Sequence, residues 1–245
     1  MEKVTLYGIA VSAFVAKVRI ALDLKGVTYV EVVPPEGYGS SAYRALVPAG
    51  SVPGLVHETA QGPVRLSDSN AIVEYIDEAF AGPALIPAGP PARAETRMLM
   101  GFHDTRLEAA ARALFPLIKA GGAKAGGARK VDKRSGPEQA ALAAGMDGIE
   151  AACARLDAIL AAAGSEAGTG AGSGATPGLA GSLAYPVTLQ MASMMASALG
   201  SRLTLPARVA DWAAATAALP EVARSLDLAR DAMEVWMAGF AHGQR

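Results

Sequence analysis

Four prolines and two glycines crowd residues 81–92, "AGPALIPAGPPA", and no helix or strand runs through such a stretch. It separates two parts of the chain that obey different periodicities, which constrains the fold more than any other feature. Ahead of it, β-rich runs alternate with amphipathic helical ones. Behind it, the chain is Ala-rich and helical. The expected layout is an α/β domain at residues 1–80, a linker at 81–92 and an all-helical domain at 93–245.

Within the first domain, "KVTLYG" (residues 3–8) reads as a short strand closed by glycine. "FVAKVRIALDL" (14–24) places Phe14, Val18, Ala21 and Leu22 on one helical stripe with Lys17 and Arg19 off it, and Lys25-Gly26 ends the helix. "VTYVEVV" (27–33) is a strand stopped by Pro34-Pro35. A polar, irregular stretch follows. "PGLVHE" and "PVRL" around "TAQG" read as a hairpin. "SDSNAIVEYIDEAF" opens with capping residues and carries Ala71, Ile72, Tyr75, Ile76 and Ala79 on one face. The order is βαβ, an irregular segment, then ββα.

In the second half, helices are expected at residues 93–120, 137–163, 182–199, 206–219 and 220–240. A basic, glycine-rich loop (121–136) and a low-complexity Gly/Ala loop (164–178) interrupt them. No pattern recurs at a solenoid period.

The net charge of -1 over 245 residues lacks the basic surplus that phosphate neutralisation demands, so nucleic acid is not an expected partner. No apolar run approaches the roughly 20 residues of a membrane helix. The N-terminal "MEKVTLYGIA" has no apolar signal core. One cysteine, Cys153, allows no internal disulfide and fits a reducing compartment. The expected location is cytoplasmic. His57, His103, His242 and Cys153 have no metal-ligand spacing, so no metal is expected. The lack of Cys-x-x-Cys argues against a disulfide oxidoreductase.

Three segments are more specific than this layout. "VPAGSVPGL" (47–55) is similar to the Asn-Pro-x-Gly-x-Val-Pro-x-Leu segment of the cytosolic glutathione transferases. "LSDSNAIVEYI" (66–76) resembles their Glu-Ser-x-Ala-Ile-x-x-Tyr-Leu signature. "LYGIAVSAFVAKVRIALDLKGV" (6–27) resembles the zeta-like pattern, with Ser12 seven residues before Arg19. The three occur in order at the family's spacing. The resemblance covers the first third strongly and the helical half only by architecture. It implies a thioredoxin-like first domain, an all-α second domain, glutathione as co-substrate, a small hydrophobic electrophile and a homodimer.

The same resemblance assigns roles. Ser12, ahead of a helix N-terminus, would stabilise the glutathione thiolate, although a simple helix cap also accounts for it among the apolar Ala10, Val11 and Ala13; Tyr7 is the alternative, because some classes use a tyrosine there. Val52 would pair its backbone with the cysteinyl residue, turned outward by a cis bond to Pro53. An ordinary trans proline opening an edge strand is the plainer reading of those two residues. Ser69 would bind the γ-glutamyl carboxylate, where free N–H groups and the helix dipole favour an anion. Asp68 would meet the ammonium, and plain N-capping also accounts for "SDS". Ser51 stands where the family often has Lys or Gln to steady the glycyl carboxylate.

The second substrate is expected against the helix from residue 93, with Met98, Phe102, His103 and Arg106 as contacts. Tyr185 and Pro186 depart from the Ser-x-x-Asp that opens the family's later helix. Two function classes follow. One is a transferase, or an isomerase or ether-cleaving relative using the same thiolate. The other is a non-catalytic glutathione-transferase-like binding protein.

Overall fold

The computed structural model describes residues 3–122, 135–163 and 178–241. The bulk of the basic loop (123–134) and of the Gly/Ala loop (164–177) lies outside the described residues, as does His242.

The first domain is built from β1 (Lys3–Tyr7), α1 (Ala13–Leu24), β2 (Tyr29–Val32), α2 (Ser41–Leu46), β3 (Gly54–Thr59), β4 (Gly62–Ser67) and α3 (Ser69–Ala79). The sheet order is β2-β1-β3-β4. β1 and β2 run parallel, while β3 is antiparallel to both β1 and β4. The crossover that joins β1 to its parallel partner is α1, as a parallel pair requires. Leu6 sits opposite Leu55, and Leu55 opposite Leu66, so one face of the sheet is apolar.

α2 is an element that the sequence reading left as irregular. It has six residues, too few to hold as a helix by propensity. Two contacts fix it: Ser40 Oγ caps it by accepting the Tyr43 N–H, and the buried Tyr43 hydroxyl donates to Ser51 O at 2.9 Å. Gly54 makes room for that hydroxyl, since a Cβ there would lie 2.3 Å from it.

The second part contains α4 (Pro90–Phe102), α5 (Glu108–Arg112), α6 (Phe115–Leu117), α7 (Gly136–Ala162), α8 (Tyr185–Ala198), α9 (Ala207–Ala217) and α10 (Pro220–Ala241). The single helix expected over 93–120 is in fact broken. A π-helical turn, His103–Leu107, joins α4 to α5. Pro116 lacks the N–H that would bond the Arg112 carbonyl, so α5 stops and α6 restarts at Phe115. A second π turn, Ile118–Gly122, follows.

α1 separates the sheet from the helical part, packing against α3 on one side and α10 on the other. It is therefore buried almost all round, and both cations placed off its apolar stripe are inside. Each is paired, as buried charges must be. Arg19 forks onto Glu31 through Nε and Nη2, both at 2.7 Å, and donates from Nη1 to Ser225 Oγ. A continuous apolar core runs from Leu6, Leu55 and Ile76 through Leu99 and Leu107 to Leu156 and Met195.

Tyr185 explains the departure at the start of α8. A 3₁₀ turn at Leu179–Gly181 precedes it, and Ser182 Oγ donates to Leu179 O instead of capping α8. The buried Tyr185 hydroxyl donates to Leu99 O at 2.7 Å. Its ring meets His103 and Trp212 edge-on. This helix start is anchored by an aromatic plug rather than by a capping carboxylate.

Candidate active site

A cavity of about 500 Å³ opens between the sheet domain and the helices. The first domain contributes Ile9, Val11, Ser12, Phe14, Tyr38, Ser51 and Val52; the helical part contributes Glu108, Arg112, Phe115, Lys119, Met191 and Trp236.

Ser12 is the N-cap of α1: its Oγ accepts the Val15 N–H at 3.3 Å. That bond occupies a lone pair and leaves the O–H free to donate. The helix dipole adds positive potential at this end. An anion beside Ser12 therefore meets a donor and a favourable field. Tyr7 is placed differently. Its ring packs on Tyr43 with centroids 5.5 Å apart, in a small cluster with Val47, Val52 and Val56. It does not belong to the cavity lining among the described residues.

The Val52-Pro53 bond is cis. Tyr43 braces the preceding residue through Ser51 O, so the strip 51–53 is held from below while Ser51 and Val52 line the cavity.

Asp68 and Ser69 form the start of α3. Asp68, at φ 81°, caps the helix by accepting the N–H groups of Asn70 and Ala71 at 3.0 Å each, both on Oδ1. Ser69 is buried, and its Oγ accepts from Lys17 Nζ at 3.0 Å. The hydroxyl hydrogen of Ser69 is left to donate.

Lys17 was read as lying off the packing stripe, yet it fixes this corner. Its ammonium reaches Ser69 Oγ, Asn70 Oδ1 at 2.7 Å and Asp104 Oδ1 at 2.7 Å. Three acceptors match its three N–H donors. Burial lowers the Lys17 pKa, partly offset by Asp104. Burial also pulls the Asp104 carboxyl upward, but hydrogen bonding from His103 and the Lys17 charge outweigh it, and its pKa falls below the usual value.

The four residues expected at the second substrate are not brought together. His103 is fully buried, pushed down to about 4 by burial, with Nδ1 2.7 Å from Asp104 Oδ1 and Nε2 2.8 Å from Thr188 Oγ1. Met98 is half exposed and lines a separate groove with Leu99, Ile159 and Leu160. Phe102 packs on the core, and Arg106 is exposed. Met98 and Phe102 precede the π turn and face that groove and the core, whereas beyond the turn the extra residue rotates the helix face by ~100°. The residues at 108, 112, 115 and 119 then face the cavity.

Those residues give the far wall its character. Glu108 is buried, its pKa raised by burial, and it holds Arg112 Nε at 2.5 Å. The Arg112 guanidinium lies 5.5 Å from the Phe14 ring centroid and 5.8 Å from that of Phe115. Trp236 packs against Phe115 with ring centroids 5.2 Å apart and the planes tilted by 52°. The surface is aromatic and carries two cations, Arg112 and Lys119, against one carboxylate.

Among the described residues, no group of three or more His, Cys, Asp or Glu is arranged to hold a metal. Cys153 is buried, and burial pushes its thiol up to about 11, so it is poorly suited to nucleophilic work.

Residues 6–84 match the family described as "Glutathione S-transferase, N-terminal domain". The first domain is a glutathione S-transferase domain. A glutathione S-transferase of Pseudomonas putida is 37% identical over 112 residues, covering 45% of this chain and 48% of that protein. The chain thus matches about half the length of this curated relative. The whole fold is similar to a theta class glutathione S-transferase of Xanthomonas axonopodis pv. citri solved with glutathione bound: TM-score 0.62, 25% identity, 92% of this chain and 98% of that one. It is also similar to a bacterial maleyl pyruvate isomerase, a zeta class glutathione S-transferase, with TM-score 0.65, 26% identity and coverage of 92% and 97%. The glutathione S-transferase architecture therefore spans both halves, although sequence similarity concentrates in the first.

Proposed function

We propose that this chain is a glutathione transferase that ionises the glutathione thiol beside Ser12 and directs it at a small hydrophobic electrophile. The observation that carries this reading is the position of Ser12. A capped hydroxyl with its O–H free lines the same cavity as Val52 and the aromatic wall of Phe14, Phe115 and Trp236.

The tripeptide would add to the strip at Val52 as a short strand, its cysteinyl backbone pairing with Val52. The γ-glutamyl end would point to the start of α3, where Ser69 donates to its carboxylate and Asp68 Oδ2 accepts from its ammonium. The thiol then lies at Ser12. Its proton leaves to water, and the Ser12 O–H donates to the remaining thiolate, which is otherwise a minor species near neutral pH. The sulfur attacks the electrophile held against the aromatic wall; the new S–C bond forms as the leaving group departs with its electron pair. Arg112 and Lys119 favour an electrophile that carries a negative charge.

A second reading is isomerisation, in which the thiolate adds to a double bond, the adduct rotates and glutathione leaves unchanged. The likeness to a zeta class maleyl pyruvate isomerase favours it. We also propose a homodimer, formed through the Ala- and Met-rich face of α4 that exposes Met98, and a cytoplasmic location; no described helix is long and apolar enough to cross a membrane. Retention on immobilised glutathione, followed by an assay with chlorodinitrobenzene, tests the main reading. Binding with turnover supports it. Absence of binding would point to the non-catalytic class.

A further inference from the structure

A thiolate that adds to an electron-poor double bond leaves an electron pair on the far carbon, which must then take up a proton. Substitution makes no such demand, because the leaving group departs with the pair. Addition in this cavity therefore needs a group that both takes and gives a proton near neutral pH. Hydroxyl, phenol, guanidinium and ammonium groups ordinarily hold their protons too tightly for that. They account for every other polar side chain of the lining: Ser12, Tyr38, Ser51, Arg112 and Lys119. Glu108 is the one carboxyl among the described residues that line it.

Its surroundings suit the task. Glu108 is buried at the start of α5, directly after the π turn. Its Oε2 accepts from Arg112 Nε at 2.5 Å. Oε1 has no hydrogen-bond partner among the described residues and stays accessible at the cavity wall. Burial, and after it Asp104 in the π turn, oppose the charge, whereas Arg112 on α5 and Lys17 on α1 favour it; the pKa ends up raised. Lys119 is the remaining charged group of the lining. Arg112, which Glu108 holds, lies over the ring of Phe14, two residues beyond Ser12. The carboxyl and the serine hydroxyl thus bound the same part of the cavity.

We infer, resting on the proposed glutathione reading, that Glu108 is the proton carrier for addition of glutathione to an electron-poor alkene. In the addition, the thiol proton passes to Glu108 Oε1 rather than to bulk water, while Ser12 holds the thiolate. The sulfur forms the new S–C bond, and the π pair of the double bond moves to the far carbon. Glu108 returns the proton to that carbon and is a carboxylate again. Nothing is oxidised or reduced, and no co-reactant is consumed.

The test compares two uncharged substrates on each preparation: 4-phenylbut-3-en-2-one, which undergoes addition, and chlorodinitrobenzene, which undergoes substitution. Both develop negative charge as the sulfur attacks, so a misplaced Arg112 slows both alike. Only the addition needs the proton back. Glu108→Gln keeps an oxygen for Arg112 Nε but cannot carry a proton. Its ratio of addition kcat to substitution kcat is expected to fall about 100-fold below that of the wild type, the low end of general acid–base catalysis. Glu108→Asp, which keeps a carboxyl, should recover part of the ratio. The folded fraction of each variant cancels in this ratio. Equal losses for both substrates in Glu108→Gln, or a wild type that catalyses substitution but not addition, would overturn the inference and leave the glutathione reading intact. If the wild type neither bound glutathione nor turned over either substrate, the reading itself would fail and this inference with it.

Discussion

The Lys17 ammonium lies 2.7 Å from Asp104 Oδ1 with 1% of its side chain exposed, and the same oxygen faces His103 Nδ1 at 2.7 Å. One carboxylate thereby ties the π turn of the helical part to α1 and, through Lys17, to Ser69 and Asn70 at the start of α3. The chain continues from His103 to Thr188 on α8. The corner proposed to hold the γ-glutamyl group is thus built by the second domain as much as by the first.

Breaking one partner of this pair should be costly, because the other charge is left buried. Lys17→Met and Asp104→Leu are each expected to lower unfolding stability by about 3–5 kcal/mol. The double variant should be less destabilised than the sum of the two. Glutathione affinity should fall in Lys17→Met through the loosened Ser69. Denaturant midpoints for the cycle check this; strict additivity would show that the pair is not coupled.

His103 gives a pH signature. Burial holds its folded pKa near 4, below the ordinary 6.5, so the folded state favours the neutral ring. That stabilisation is fully present above about 6.5 and is lost as pH falls toward 4, because only the unfolded chain takes up the proton. Glu108, whose pKa is raised by burial, works in the opposite sense at acid pH. Unfolding free energy measured from pH 7 to 4 should therefore drop for the wild type and drop less steeply for His103→Gln. Equal slopes would remove His103 from the account.

Much of the fold was legible because it depends on local signals. The strand and helix runs of the first domain and the proline-rich break follow from periodicity and turn residues. α2 was not legible, since its stability comes from Tyr43 reaching Ser51 across the chain. Lys17 and Arg19 stand off the apolar stripe of their helix; their burial depends on Asp104 and Glu31, partners that no local pattern announces. The π turn had no sequence mark either, and the positions of this region that face the cavity, Glu108, Arg112, Phe115 and Lys119, all lie beyond it. Glu108, Arg112, Phe115 and Lys119 do follow helical spacing among themselves, a signal visible only once the break is known.

Tyr185 should matter for stability and not for chemistry. Its hydroxyl donates to Leu99 O, which also accepts the His103 N–H. Tyr185→Phe is expected to cost about 1 kcal/mol, a single buried hydrogen bond with the acceptor still partly satisfied. Turnover per folded molecule should be unchanged. A selective loss of activity would place Tyr185 in the site.

The cations of the far wall predict substrate charge. Lys119→Gln should reduce turnover of a carboxylate-bearing chloronitrobenzene by roughly tenfold relative to chlorodinitrobenzene, each rate referred to its uncatalysed reaction, as expected for about 1.4 kcal/mol lost with one charge pair. The effect should shrink at high salt. Equal losses for both substrates would mean that the wall reads shape alone.

The central claim is that Ser12 ionises the thiol, and it is tested most directly by titrating the thiolate absorbance of bound glutathione against pH. In the wild type the bound thiol is expected to titrate well below the free cysteine value of about 8.5. In Ser12→Ala it should return toward that value, with turnover down about 10²–10³-fold and glutathione affinity nearly unchanged, while Tyr7→Phe behaves as wild type. A thiol that titrates at the free value in the wild type, or stays acidic in Ser12→Ala, would contradict the account.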